Sequence, residues 1–111
     1  MEQLSIGTGT CLVERDGHTL VVTLNRPEAK NAFNPPMLVG MYRAWRLLDS
    51  DDELRCAVLT ARGDTFCAGM DLKAGPEGGD DAGEIQALMK DVPNLHWQAL
   101  LRDNRPLKLI I

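Results

Sequence analysis

A short apolar run near the middle of the chain leads into a tight turn and then into residues with almost no side chain. Residues 56–61 are apolar and partly β-branched, and residues 62–64 are turn formers, which together predict a buried strand that ends at a surface turn. Ala68 and Gly69 follow within the segment 65–73. Because these two residues let a ligand atom approach the main chain closely, the segment predicts a binding turn built from backbone.

The backbone of this turn predicts a preference for negative charge. A helical turn that begins near Met70 would leave its first N–H groups without intrahelical acceptors and at the positive end of the helix dipole. N–H groups of this kind stabilise an oxyanion. The functional group predicted at Met70 is therefore its backbone N–H, and the side chain has no assigned role.

The first half of the chain alternates strand and helix signals. Two strand-like runs with Asp16-Gly17 between them predict a hairpin over 11–24, and residues 1–9 predict a loosely held start. Asn34 before two prolines predicts the beginning of a helix over about 35–49. Its apolar residues recur at helical spacing and predict one buried face: Leu38, Met41, Trp45 and Leu48.

The second half of the chain has weaker patterns. Residues 74–83 are rich in glycine and acidic residues and predict a mobile loop, with a lid over an acyl chain as the alternative. A helical region follows over 84–103 and is interrupted at Pro93. Residues 107–111 predict a final strand, and a chain that stops at such an apolar strand is expected to have been cut from a longer one.

Composition limits the partners that the chain can have. A formal net charge of −4 argues against general binding to nucleic acid or to a membrane surface. Three cysteines without a CxxC motif predict reduced thiols and a cytoplasmic location. The acidic run 49–53 lacks the glycine and the distal glutamate of a calcium loop, so it predicts a solvated helix end and no metal site.

Two motifs together resemble the crotonase superfamily, the enoyl-CoA hydratase/isomerase proteins. The first is the loop 25–32, Asn-Arg-Pro-Glu-Ala-Lys-Asn-Ala, and the second is the turn 65–73. The resemblance extends from about Cys11 to about Asp71 and is loose beyond it. It implies an α/β fold, the first or N-terminal part of a crotonase-like spiral of ββα units, and a site for acyl-CoA thioesters.

The resemblance also implies roles for individual residues. Glu28, Ala29 and Lys30 are expected to border the coenzyme A pocket, although a solvated charge is the alternative for Lys30. In the turn, Met70 would supply the first of two N–H donors to the thioester oxygen, and Asp71 would fix the turn through side-chain hydrogen bonds. The remaining residues expected to contact ligand are Ala68, Gly69, Leu72 and Lys73. No separate cofactor is expected, since coenzyme A is part of the substrate.

The resemblance leaves the reaction open. Family hydratases take a second N–H and two catalytic glutamates from later motifs, and no position of this chain matches those motifs. Three hypotheses follow: part of an enzyme that hydrates trans-2-enoyl-CoA in fatty acid metabolism, a non-catalytic acyl-CoA-binding module, or an inactive truncated remnant. Isomerisation, decarboxylation and thioester hydrolysis use the same turn. Family members form homotrimers or hexamers, and the assembly of this chain stays open.

Overall fold

A mixed sheet and a crossover helix make up the part of the chain that the computed structural model describes, which is residues 1–69 and 108–111. The helix α1 spans Pro35–Ser50, and a short 3₁₀ helix spans Pro27–Ala29. The strands lie in the order of the chain: β1 (Glu2–Gln3), β2 (Cys11–Asp16), β3 (Thr19–Leu24), β4 (Cys56–Ala61) and β5 (Leu109–Ile110). β1, β2 and β3 pair antiparallel, whereas β3, β4 and β5 pair parallel.

The strands β2 and β3 coincide with the predicted hairpin over 11–24. Asp16 pairs with Thr19, so Gly17 and His18 form a two-residue loop. Gly17 has a φ of +61°, and type II′ hairpin turns place a glycine at this first central position. The Asp16-Gly17 signal was therefore sufficient to locate the turn.

The N-terminal segment departs from the prediction of a loosely held start. Glu2 and Gln3 pair with β2, and the Leu4 N–H donates to the Val13 carbonyl at 2.8 Å. The prediction was wrong because it was based on the small number of apolar side chains in residues 1–9. Backbone hydrogen bonds hold this segment. It extends the sheet by one antiparallel strand beyond β2.

A helical crossover joins the parallel strands β3 and β4, as parallel pairing requires. The side chain of Asn34 accepts a hydrogen bond from the Met37 N–H at 2.9 Å and so caps the N-terminus of α1. Two prolines occupy the first turn, where their missing N–H groups are not needed. The helix is one residue longer than the predicted 35–49.

The hydrophobic core lies between α1 and the sheet. Leu38, Trp45 and Leu48 are buried as the helical spacing predicted, and Met41 is half-buried against the same core. Gly40 lets the helix approach β2 closely. A β-carbon at this position would lie only 2.7 Å from the β-carbon of Cys11.

The acidic segment 49–53 is in part the predicted solvated helix end, since Ser50, Asp52 and Glu53 are exposed whereas Asp49 and Asp51 are half-buried. The Asp51 carboxylate lies 2.8 Å from the Arg15 guanidinium, and both side chains are about three-quarters buried. The Lys108 ammonium donates to the backbone carbonyls of Asp51 and Leu54 at 2.8 and 2.7 Å. The backbone N–H of Lys108 donates to the Asp49 carboxylate at 3.2 Å. The prediction did not include these contacts of Asp49 and Asp51 because the basic partners come from distant parts of the chain.

The remaining predictions for the second half of the chain fall largely outside the described residues. These are the loop 74–83, the helical region 84–103 and the turn beyond Gly69. Of the predicted final strand 107–111, residues Leu109–Ile110 pair with β4 and residue 107 lies outside the described part. Among residues 1–69 and 108–111, no helix is long and apolar enough to cross a membrane.

Candidate functional site

Two loops meet at one end of the sheet. β3 and β4 are parallel neighbours, and their last residues, Leu24 and Ala61, are paired in register. The loop that follows β3 (residues 25–33, the first loop) and the turn that follows β4 (residues 62–69, the second loop) therefore begin side by side. In open α/β sheets the crevice beyond the carboxyl ends of the strands is the usual place for a ligand.

Backbone hydrogen bonds connect the two loops directly. The Ala68 N–H donates to the Lys30 carbonyl at 3.0 Å, and the Phe33 N–H donates to the Gly69 carbonyl at 2.8 Å. These two bonds run in opposite directions between the loops, so they fix the relative position of residues 30–33 and residues 68–69. The structure thus brings together the two motifs that the sequence places more than thirty residues apart.

The side chain of Asn31 forms a second connection, inside the site. Its Oδ1 accepts from the Arg26 N–H, and its Nδ2 donates to the carbonyls of Arg62 and Thr65, each at 2.7 Å. The residue is fully buried and has a φ of +56°. No role for Asn31 was predicted from the sequence. The available signal was that asparagine tolerates left-handed backbone and offers both a donor and an acceptor.

A close approach between Gly63 and Pro27 forms a third connection. Gly63 has a φ of +87°, a conformation that other residues rarely adopt. A β-carbon on Gly63 would lie 2.8 Å from the β-carbon of Pro27. Only glycine therefore satisfies both the backbone angle and the space at this position.

The predicted coenzyme A-bordering residues lie on the surface of the first loop. The side chains of Glu28 and Lys30 are exposed, and Ala29 is half-buried. Lys30 ends the 3₁₀ helix with a φ of +53° and donates its N–H to the Pro27 carbonyl at 3.1 Å. The Lys30 side chain is thus free to extend into solvent while its carbonyl holds Ala68.

The second loop is shaped by Gly69. Its φ of +100° is in the region that favours glycine, and a β-carbon there would meet no atom of residues 1–67 or 108–111 within 4 Å. Its N–H lies 3.4 Å from the Cys67 sulfur, and the Ala68 N–H is already donated to Lys30. Ala68 can therefore shape a ligand site but cannot offer its own N–H. The other predicted members, Met70, Asp71, Leu72 and Lys73, lie outside the described residues.

Displaced pKa values are found away from the two loops. Burial in the core raises the pKa of the Cys11 thiol to about 12. The pKa of Asp51 is lowered, first by the Glu53 N–H and then by Arg15. Within residues 1–69 and 108–111, no group of three or more His, Cys, Asp or Glu side chains could hold a metal ion. The described site thus consists mainly of oriented backbone groups.

The mixed sheet, the crossover helix and the backbone turn at the strand ends define an α/β protein with the first part of the crotonase fold. The crystal structure of an enoyl-CoA hydratase from Mycobacterium tuberculosis superimposes with a TM-score of 0.60 and 45% identity. This match covers 66% of the present chain and 29% of that chain. The chain belongs to the enoyl-CoA hydratase/isomerase family, whose family model matches residues 14–107.

Two curated relatives also match part of the chain. The enoyl-CoA hydratase EchA19 of Mycobacterium tuberculosis is 57% identical over 63 residues, which are 57% of this chain and 24% of that protein. The mevalonyl-coenzyme A hydratase SIDH of Beauveria bassiana is 49% identical over 71 residues, 64% of this chain and 24% of that protein. The chain spans about a quarter of the length of the curated relatives it matches.

Proposed function

We propose that the chain forms part of the acyl-CoA site of an enzyme that hydrates trans-2-enoyl-CoA thioesters. The observation that supports this function is the pair of opposed hydrogen bonds between the two loops, from Ala68 to Lys30 and from Phe33 to Gly69. These bonds place a preformed backbone turn beside the loop that is expected to border coenzyme A. The hydratase names of the two curated relatives favour hydration over the other reactions of the family.

The proposed chemistry is the stabilisation of negative charge on the thioester oxygen. Adding water to the double bond places enolate-like charge on that oxygen, and an N–H donor aimed at it lowers the barrier. Loss of one such donor typically costs about a hundred- to a thousandfold in rate, roughly 3 to 4 kcal/mol. We assign this donor to the Met70 N–H and expect Asp71 to fix the turn through hydrogen bonds to nearby main chain.

The hydrogen bond that holds the preceding peptide group, at the Gly69 carbonyl, favours this assignment to Met70. The Gly69 carbonyl is held by the Phe33 N–H at 2.8 Å. A trans peptide directs its N–H opposite to its carbonyl oxygen. Holding the Gly69 carbonyl against the first loop would therefore turn the next N–H away from that loop and toward a ligand. Among the described residues, no atom beyond the chain neighbours lies within 4 Å of where a β-carbon on Gly69 would be, which leaves room for such an approach.

Coenzyme A would lie along the first loop. The exposed Lys30 ammonium supplies positive charge at the site of a chain whose formal net charge is −4, and coenzyme A carries phosphate groups. Glu28 and Ala29 would border the same ligand, and Leu72 and Lys73 would contact it beyond the turn. No separate cofactor takes part in this proposal, because coenzyme A enters and leaves with the acyl group.

Binding and hydration are separate parts of the proposal. General acid–base catalysis requires positioned carboxyl groups, and none of the glutamates of this chain matches the catalytic motifs of the family. We therefore expect the 111 residues by themselves to bind acyl-CoA without hydrating it. The same binding would be the whole activity of a non-catalytic acyl-CoA module, and a remnant without function would not bind.

Calorimetry with crotonyl-CoA tests the proposal. The wild-type chain is compared with Gly69→Ala, which forces a side chain onto a φ of +100° without a clash against any residue in the described part of the chain. The matched control is Gly17→Ala in the hairpin turn, which has a φ of +61° and equally open surroundings. We expect the wild type and Gly17→Ala to bind alike and Gly69→Ala to bind at least about tenfold more weakly, since strain at φ > 0 of about 1–3 kcal/mol shifts the turn.

Two results would contradict the proposal. A folded wild-type chain that releases no binding heat with crotonyl-CoA would exclude an acyl-CoA site in these residues. Equal affinities of Gly69→Ala and the wild type would place any site away from the turn. Circular dichroism of all three proteins establishes that each is folded before its affinity is compared.

A further inference from the structure

The amide of Asn31 is buried between two loops that otherwise lie at the surface. Its side chain uses three hydrogen-bonding positions, one as an acceptor and two as donors, and every partner is a main-chain group. The neighbours fix the orientation of the amide, because the Arg26 N–H requires an acceptor and the two carbonyls require donors. Leaving such a buried group unpaired destabilises the arrangement, because the group has given up its hydrogen bonds to water.

The hydrogen bonds of Asn31 cross between the two loops. The partner on the first loop is Arg26, and the partners on the second loop (residues 62–69) are Arg62 and Thr65. The Asn31 side chain therefore links the first half of the second loop to the first loop. A side chain of the same size but without the two donors could not hold both carbonyls.

Two residues close to Asn31 in the chain, Lys30 and Phe33, contact the end of the second loop. Lys30 accepts from the Ala68 N–H, and Phe33 donates to the Gly69 carbonyl. The left-handed backbone at Lys30 and Asn31, with φ of +53° and +56°, turns the chain so that the Asn31 side chain points inward while the Lys30 carbonyl meets Ala68. The segment 30–33 thus holds the beginning of the second loop through the Asn31 amide and its end through backbone hydrogen bonds.

We propose that Asn31 is a positioning residue for acyl-CoA binding. Its amide holds the first and second loops in one arrangement, so that the ligand meets a preformed site and does not have to order the loops as it binds. Asn31 acts through Gly69 and its neighbours and does not touch the ligand. This inference rests on the proposed function, and its structural part can be tested separately.

The test compares two asparagine-to-aspartate variants. In Asn31→Asp, one carboxylate oxygen can still accept from the Arg26 N–H, but the other faces the carbonyl oxygens of Arg62 and Thr65, which it cannot serve as a donor. The control Asn25→Asp introduces the same charge at a side chain that makes one exposed hydrogen bond of 3.1 Å, to the Gly9 carbonyl. Both variants keep the size of the original side chain.

Two measurements are made on each protein: its affinity for crotonyl-CoA and the hydrogen exchange of individual amides by NMR. For Asn31→Asp we expect at least about tenfold weaker binding and at least about tenfold faster exchange of the Ala68 and Phe33 amides. Exchange in the hairpin, at Val13 and Val22 for example, is expected to match the wild type. Asn25→Asp, which adds the same charge within the first loop, is expected to leave the exchange of the Ala68 and Phe33 amides at the wild-type rate and to weaken binding less than Asn31→Asp does.

The outcomes separate this inference from the proposed function. Wild-type affinity in Asn31→Asp, or an equal acceleration of exchange in the hairpin and the loops, would overturn the positioning role, since the second result means general destabilisation. If the wild-type chain itself does not bind crotonyl-CoA, the proposed function fails. In that case selective exchange at Ala68 and Phe33 still decides whether Asn31 holds the turn.

Discussion

Replacing Gly63 by alanine tests whether the two loops are held as closely as the structure shows. Gly63 lies in the turn after β4, with a φ of +87°, and packs against Pro27 of the loop after β3. An added β-carbon would lie 2.8 Å from the Pro27 β-carbon and 3.6 Å from its α-carbon. Because the proline ring is rigid and its α-carbon belongs to the backbone, the overlap cannot be relieved by a simple side-chain rotation.

The size of the effect follows from three contributions to the free energy of unfolding. Left-handed backbone costs an L-residue about 1–2 kcal/mol, and overpacking a close contact costs about 1–3 kcal/mol. Replacing glycine also lowers the conformational entropy of the unfolded chain, which offsets the loss of stability by about 0.4–1 kcal/mol. We therefore expect Gly63→Ala to lower the free energy of unfolding by about 1–5 kcal/mol. Gly17→Ala, which lacks the overlap, should lower it by about 1.5 kcal/mol or less.

Urea unfolding monitored by circular dichroism measures these differences, with the midpoint as the readout and the slope as the check on two-state behaviour. The contact itself is isolated by adding Pro27→Gly, which removes the β-carbon that the new side chain would overlap. In the Pro27→Gly background, Gly63→Ala should cost only about as much as Gly17→Ala. If the effects of the two substitutions simply add within about 0.5 kcal/mol, the close approach between the loops is absent and the reasoning is refuted.

Two titratable groups lead to further predictions. The pKa of Asp51 is lowered by the Glu53 N–H and by Arg15, so its contribution to stability is present above the ordinary aspartate pKa of about 3.9 and is lost as the pH falls further. The stability of the wild type relative to Asp51→Asn should thus decrease from pH 6 to pH 2 in urea titrations, and a constant difference would contradict the assigned pairing. Burial raises the pKa of Cys11 to about 12. In the unfolded chain the thiol ionises at a lower pH, about 8.5. Its contribution to stability is therefore complete below about pH 8.5 and declines as the pH rises from there toward 12. Iodoacetamide at pH 8 should leave Cys11 unlabelled in the native protein and label it in urea, as peptide mass spectrometry would show, and rapid native labelling would refute its burial.

Local signals in the sequence were sufficient for most of the regular structure. The Asp16-Gly17 turn located the hairpin, and Asn34 with its two prolines located the start of α1. Each of these signals involves residues within a few positions of one another. The family resemblance depended on two short motifs, and the match over residues 14–107 confirmed it.

Interactions between distant residues required the tertiary structure. The sequence did not reveal that Lys108 binds the end of α1 or that β1 pairs with β2, because the partners are separated by many residues and the contacts involve main-chain groups. It also suggested Ala68 as a ligand contact without showing that its N–H is already donated to Lys30.

Asn31 shows most clearly where the sequence alone reaches its limit. The sequence determined a polar loop, a strand, a turn and the family to which the chain belongs, since these follow from local propensities and short motifs. Only the tertiary structure decided that Asn31 joins the loops, because its partners Arg62 and Thr65 are 31 and 34 residues away and accept through carbonyls that every residue carries. No pattern of side chains encodes such a contact until the parallel pairing of β3 and β4 places the two loops side by side.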